Sequence, residues 1–357
     1  MAMIEIEPPR RRRPIWKRFL FALVCLLATL GIAELGVRLA GLGPRVYVPR
    51  RFLPAGVPFT FIKEGSISFP VYQPNVVFSS AYDPIGDDRG YLKPDGKVAY
   101  RINSSGFRGG PLVIEKPPAA FRVLCLGDSL TFGEGVHEED TYPARLENLL
   151  RGSLKGRTVQ VINAGVQGYG TREEVALFFD RCAKLQPDVV FLGFFLNDAT
   201  PFGETVRQND ERSRELPLSG LARISKIWET IERRKRAASL QNEYFETTRR
   251  SFDTEAWQIA KQLLAMMQAE SKKSGFRFVV VLLPMMWGLD GDYPFEGLHA
   301  RIADACRSAG CEIIDLLPVF RGRRPESLWV HPIDQHPNEI AHELIARSLA
   351  EALGPNP

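Results

Sequence analysis

The sequence predicts an α/β protein: a doubly wound, mostly parallel five-stranded sheet, preceded by a transmembrane helix and a small β-rich accessory region. Three observations predict it. From Phe121 onward, short apolar runs alternate with helical patterns; the runs are apolar on both faces, as strands covered on two sides must be; and one long apolar run stands near the N-terminus, well before the first of them. The strands are expected at Arg122 to Leu126, Val159 to Ile162, Val189 to Phe195, Phe278 to Leu283 and Glu312 to Leu316. Between and after them lie helical patterns over Thr141 to Arg151, Thr171 to Leu185, Thr254 to Ser274, Phe295 to Ser308 and Asn338 to Leu353. Such alternation implies an open sheet with its ligand crevice at the C-terminal ends of the strands.

The N-terminal run, Phe19 to Ala33, continues through Glu34 and Arg38 to Gly43, and roughly 20 residues suffice to cross a hydrocarbon core. It reads as an uncleaved signal anchor over 19–43, or as a cleaved signal peptide; no small-x-small cleavage site precedes a polar stretch, which favours the anchor. Glu34 and Arg38 are spaced to pair at i, i+4 where the helix leaves the membrane. Arg10, Arg11, Arg12, Arg13, Lys17 and Arg18 precede the run and only Arg45, Arg50 and Arg51 closely follow it. This bias puts residues 1–18 in the cytoplasm and makes the chain a single-pass inner-membrane protein with the rest of the chain on the periplasmic side. The lipid bilayer is therefore an expected partner.

Residues 44–120 are rich in Pro, Gly and aromatic residues and carry alternating stretches such as Lys97 to Ile102, read as strands joined by turns. Lys116-Pro117-Pro118 marks the boundary to the α/β domain over 121–357. Within that domain the connection 199–253 is far longer than the usual few residues. It holds a helical pattern with Leu221, Ile224, Trp228 and Ile231 on one face and Arg233, Arg234, Lys235 and Arg236 near its end. The face either packs on the core or serves as a lid or membrane-surface contact.

The balance of 46 basic and 42 acidic residues is too even for a nucleic-acid binder. The five cysteines form no CxxC and lie beside no His pair, so neither a metal nor another cofactor is expected. Cys125 reads as a core residue, and Cys306 and Cys311 are close enough to raise the question of a disulfide.

The strongest chemical signal is Gly127-Asp128-Ser129 at the end of the first strand. A serine there opens a helix at the sheet's C-terminal edge, with outward backbone N–H groups beside it. Thr131 occupies the place where a G-x-S-x-G elbow requires glycine. The second strand ends in Asn163-Ala164-Gly165-Val166-Gln167-Gly168, the third in Leu196-Asn197-Asp198, and near the C-terminus stands Asp334-Gln335-His336-Pro337-Asn338. Together these blocks resemble the SGNH/GDSL hydrolases, over roughly residues 121 to 353 and in family order.

The resemblance implies a flavodoxin-like SGNH fold and a serine esterase. It implies Ser129 as nucleophile, His336 as general base, and an oxyanion hole of the Ser129 N–H, the Gly168 N–H and the Asn197 side-chain amide, with Gly165 as the alternative to Gly168. The last block departs from the family's commoner Asp-x-x-His spacing; Asp334, two residues before His336, is expected to orient the imidazole. His331 is the rival base. Asp128 is expected to bond local backbone in its turn. The segment Arg101 to Gly109 also resembles anchored members and is read as a connector docking the β region on the hydrolase.

The expected substrate is an acylated small molecule, glycan or lipid, with O-acetyl or other short acyl esters of envelope or secreted glycans foremost. An O-acyltransferase, a lysophospholipase or thioesterase, and a non-catalytic glycan-binding assembly protein are the alternatives. Nothing in the sequence speaks to oligomeric state.

Overall fold

Five strands, β6 (Phe121–Gly127), β7 (Val159–Gly165), β8 (Val189–Phe194), β9 (Arg277–Leu282) and β10 (Glu312–Asp315), form one sheet in the order β10-β9-β8-β6-β7. Every pairing in it is parallel. β6 and β8 are buried along their whole length, which is why their sequences are apolar without alternation apart from Arg122, whose guanidinium is hydrogen-bonded to carbonyls and Gln160. The sheet is the doubly wound one expected, and its strand order reverses between β6 and β8, where open α/β sheets hold their ligands. The computed structural model describes residues 14–42, 51–53, 57–64, 67–154, 156–200 and 218–354.

Helices follow the strands at Tyr142–Ser153, Thr171–Leu177, Glu255–Ser274, Glu296–Ser308 and Glu339–Leu353. The pattern that predicts one helix over Thr171 to Leu185 covers three pieces, since a π turn at Phe178–Cys182 and a 3-10 turn at Ala183–Leu185 follow the α-helical part. Apolar spacing alone does not separate them, because Phe178, Cys182 and Leu185 stay buried throughout.

Before the sheet come β1 (Arg51–Leu53), β2 (Phe59–Glu64), β3 (Ile67–Tyr72), β4 (Val77–Ala81) and β5 (Lys97–Arg101). β1, β4 and β5 make an antiparallel sheet and β2 pairs with β3. Residues Tyr47–Arg214 and Glu243–Pro357 cluster as one compact unit, so this β region shares a core with the hydrolase fold. Phe132, in the turn that begins at Ser129, packs against Tyr72, Phe78 and Tyr100, with ring centroids 5.2, 6.2 and 5.2 Å away.

The connector has a defined shape. Asn103 Oδ1 accepts the N–H groups of Ser105 and Phe107, and its Nδ2 donates to Gly110 O. This asparagine-built loop presents Arg108, which bridges to Asn163 of β7 through the backbone. The buried guanidinium donates from Nη1 to Phe132 O and Gly133 O and from Nη2 to Val136 O, each at 2.6 Å. The carbonyls that end the short turn after Ser129 are thereby satisfied by a side chain from the β region.

A second unit comprises Met1–Val46 and Glu215–Asn242. Its helix Ile15–Leu39 has 25 residues and buries none of them, a length of about 37 Å at 1.5 Å per residue. Glu34 and Arg38 pair as their spacing predicts, at 2.7 Å. Glu34 also accepts the Lys226 N–H at 2.7 Å, the Ile227 N–H at 3.2 Å and the Ser225 hydroxyl at 2.9 Å. Its carboxylate thus caps the start of the insertion helix Lys226–Ser251. Arg38 Nη2 donates to Ile224 O at 2.7 Å. The insertion pattern is split at Ser225 into Gly220–Ile224 and the longer helix. Leu221, Ile224, Trp228 and Ile231 are exposed, at 58, 69, 43 and 36%. The basic residues Arg10 to Arg13, Arg45 and Arg50, and insertion residues 201–217, lie outside the described residues.

Candidate active site

Ser129 opens a one-turn helix, Ser129–Phe132, capped by the Asp128 carboxylate, which accepts the Leu130 N–H at 2.8 Å. This turn lies across the ends of three strands, at a layer of registered glycines: Gly127 pairs with Gly165 on one side and Gly193 on the other. A Cβ at Gly127 or Gly193 would collide with the Thr131 side chain, and one at Gly165 with the Phe132 backbone. Thr131 therefore suits a turn folded down on the sheet, and the strained elbow of a G-x-S-x-G motif is absent.

His336 Nε2 is 2.9 Å from Ser129 Oγ, and His336 Nδ1 meets Asp334 Oδ1 in a short contact. The two residues sit on β12 (Asp334–Pro337), which pairs antiparallel with β11 (Trp329–His331). In an extended strand residues i and i+2 share a face, so the Asp-x-His spacing brings carboxylate and imidazole together without the extra residue of Asp-x-x-His. Asp334 is buried, and its Oδ1 also accepts the His336 N–H at 3.2 Å. With Nδ1–H donated to a carboxylate, Nε2 carries the lone pair facing the Ser129 hydroxyl.

The rival His331 is engaged elsewhere. Its Nδ1 accepts the Ile333 N–H at 3.3 Å, which leaves Nε2–H to donate to Asp83 O at 3.0 Å. Burial holds its basicity below the ordinary value. His342 is a buried packing residue whose Nδ1 accepts the Tyr142 N–H at 3.1 Å, and burial lowers it to about 3. His299 is held between Tyr293 and Asp315, away from these blocks in the sequence.

Asn197 follows β8 and donates from Nδ2 to Asp128 Oδ2 at 3.0 Å. The reverse amide orientation would set oxygen against carboxylate, so the contact fixes the amide with one N–H on Asp128 and one left to give. Gly168 stands in the turn after β7 at φ +82°, and its N–H has no hydrogen-bond partner among the described residues. The Gly165 N–H instead donates to Asn163 Oδ1 at 3.1 Å. Of the two glycines, Gly168 is the one with a donor to spare.

Beneath Asn197 lies a buried acidic group absent from the sequence reading except for Asp128 and Asp198. Burial raises Asp128 to about 6, against the hydrogen bonds from Leu130 and Asn197 that favour its charge. Asp198 Oδ2 accepts the Thr171 hydroxyl at 3.2 Å. Burial, with neighbouring carboxylates adding to it, raises both Asp198 and Glu174. Cys125, Cys182, Cys306 and Cys311 are all buried free thiols, so no Cys306–Cys311 bridge forms. Among the described residues no group of His, Cys, Asp and Glu is arranged to hold a metal ion.

The fold and this arrangement are those of an SGNH-type ester hydrolase. Over residues 125–344 the chain matches the GDSL-like Lipase/Acylhydrolase family, and it belongs to that family. A search of curated proteins finds no match. Solved structures similar to the chain include a catalytic mutant of an acetylxylan esterase from Geobacillus stearothermophilus, at 16% identity and TM-score 0.45, covering 67% of this chain and 96% of that one. An α/β hydrolase from the metagenome of Lake Arreo, Spain, is similar at 18% identity and TM-score 0.43, over 66% of this chain and 96% of its own. A two-domain esterase active on acetylated mannans is similar at 17% identity and TM-score 0.38, over 66% of this chain and 49% of its own.

Proposed function

We propose that the chain is a membrane-anchored serine esterase that removes O-acetyl or other short acyl groups from envelope or secreted glycans on the outer face of the inner membrane. The observation that carries the mechanism is the continuous hydrogen-bonded series from Ser129 Oγ through His336 to the buried Asp334.

Ser129 Oγ attacks the acyl carbon while His336 Nε2 takes its proton. The negative charge on the carbonyl oxygen meets the Ser129 N–H, the Gly168 N–H and the second N–H of Asn197, and fixed donors of this kind contribute about 2.7–4 kcal/mol each. The imidazolium then protonates the departing alcohol, leaving an acyl-Ser129 ester. Water attacks that ester, His336 takes the water's proton and returns it to Ser129, and the carboxylic acid leaves. Asp334 keeps the tautomer and stabilises the imidazolium throughout. No step calls on a cofactor.

Anchoring is supported by the length of helix Ile15–Leu39, none of whose residues is buried, with Lys17 and Arg18 at its N-terminal end and the Glu34–Arg38 pair near its exit. The exposed Leu221, Ile224 and Trp228 begin where Glu34 and Arg38 hold the insertion, which suits an interfacial seat in the same leaflet.

The test is hydrolysis of p-nitrophenyl acetate and longer acyl esters by the full chain in detergent. Activity that falls with acyl length and disappears in Ser129→Ala and His336→Ala supports the reading. Preference for long acyl chains moves it to a lysophospholipase, and full activity in Ser129→Ala overturns it.

A further inference from the structure

We propose that Tyr82, from the β-rich region, is a positioning residue that fixes Asp334 and thereby sets the basicity of His336; this rests on the esterase reading above. Tyr82 directly follows β4, and its backbone N–H donates to Gly96 O at 2.9 Å. Its ring is buried, and its hydroxyl donates to Asp334 Oδ2 at 2.9 Å. The other carboxylate oxygen, Oδ1, takes the Nδ1–H and backbone N–H of His336. With a donor on each oxygen, the carboxylate cannot turn without breaking one contact.

The surroundings keep this place open for a phenol. Gly135 sits at φ +78°, and a Cβ there would lie 2.8 Å from the Tyr82 hydroxyl and would collide with Val330. Tyr82 also begins a strap that grips the whole β11–β12 hairpin. Asp83 O accepts His331 Nε2–H at 3.0 Å. Arg89 donates to Trp329 O at 2.7 Å, to Val330 O at 3.1 Å and to Glu339 Oε1 at 3.0 Å. Two strands of three and four residues are too short to hold their own shape in water. The hairpin that carries Asp334 and His336 is thus held from a segment preceding the sheet as well as by Met286 and Asn338 of the hydrolase fold.

A phenol donating to a carboxylate stabilises its charge and makes it a weaker base. Removing that donor strengthens the hold of Asp334 on the imidazolium, so His336 keeps its proton to higher pH. In the full chain, Tyr82→Phe retains the ring and loses only the donor. We expect kcat on p-nitrophenyl acetate to fall about tenfold, the scale of one hydrogen bond to a charged group. KM should stay within about twofold, since no substrate contact is lost. The acid limb of the kcat profile should move to higher pH, with the His336 imidazole following in a labelled-histidine NMR titration. A ring-fluorinated tyrosine at position 82, a stronger donor, should move both the opposite way, and it serves equally if Tyr82→Phe does not fold. An unmoved imidazole titration in the folded variant overturns the role of Tyr82. Absence of esterase activity in the parent would instead overturn the esterase reading, and the titration would still decide Tyr82.

Discussion

Asp128 serves two neighbours at once: one oxygen caps the turn that begins with Ser129 and the other holds the Asn197 amide. Ser129 and Asn197, the proposed nucleophile and oxyanion donor, are therefore registered on one buried carboxylate. Replacing Asn197 by Ala should lower kcat by about 10²–10³ with little change in KM, the usual loss for one oxyanion donor, as steady-state kinetics on p-nitrophenyl acetate would measure. Asp128 also carries a pH signature. Its value in the folded chain, about 6, lies above the ordinary 3.8. Between those values the folded state holds a proton that the unfolded state has released, so this group makes stability fall as pH rises through that window. Asp198 and Glu174, raised in the same direction, extend the fall to higher pH. Unfolding by denaturant across the acid range should show a shallower decline in Asp128→Asn than in the parent; an unchanged slope would remove Asp128 from the account.

At the scale of elements, the hairpin β11–β12 explains why the shorter Asp-x-His spacing works, and the Arg108 loop explains what the connector does. Arg108→Ala removes the guanidinium donors from the carbonyls of Phe132, Gly133 and Val136, of which Phe132 O keeps the Asn163 amide and Gly133 O the Val136 N–H. It should cost about 1–3 kcal/mol, the scale of leaving a buried acceptor short of its donor, measurable as a lowered denaturation midpoint. Glu34→Ala should release the start of the insertion helix, seen as faster hydrogen exchange over residues 225–231 with the sheet unchanged. The strands were legible because a doubly covered sheet demands continuous apolar runs. Ser129, Asn197 and His336 were legible because each ends or follows such an element in a recognisable block. Tyr82 was not, since its partner lies 252 residues away and its own neighbourhood, Ala81-Tyr82-Asp83-Pro84, reads only as a strand end and turn. Gly193 was hidden for a different reason: inside Val189–Phe194 it looks like a gap in an apolar run until its register with Gly127 is known.

Across the compact unit that holds the catalytic series, the β region and the hydrolase fold are one structure. Tyr72, Phe78 and Tyr100 pack on Phe132, Arg108 holds the turn after Ser129, and the strap from Tyr82 to Arg89 holds the catalytic hairpin. A chain cut at the Pro117-Pro118 boundary would expose Phe132 and take Arg108 away from the turn after Ser129. Such a fragment should be insoluble or lack a cooperative thermal transition, whereas one that keeps the whole β region should melt cooperatively; a stable, active fragment from residue 121 would contradict this unity.

The most direct test of the central claim is to quench the full chain during turnover of p-nitrophenyl acetate and locate the acyl group by peptide mass spectrometry. One acetyl is expected on Ser129, accumulating in the parent and absent from Ser129→Ala. Turnover with no acyl group on Ser129, or with the group on another residue, would contradict it.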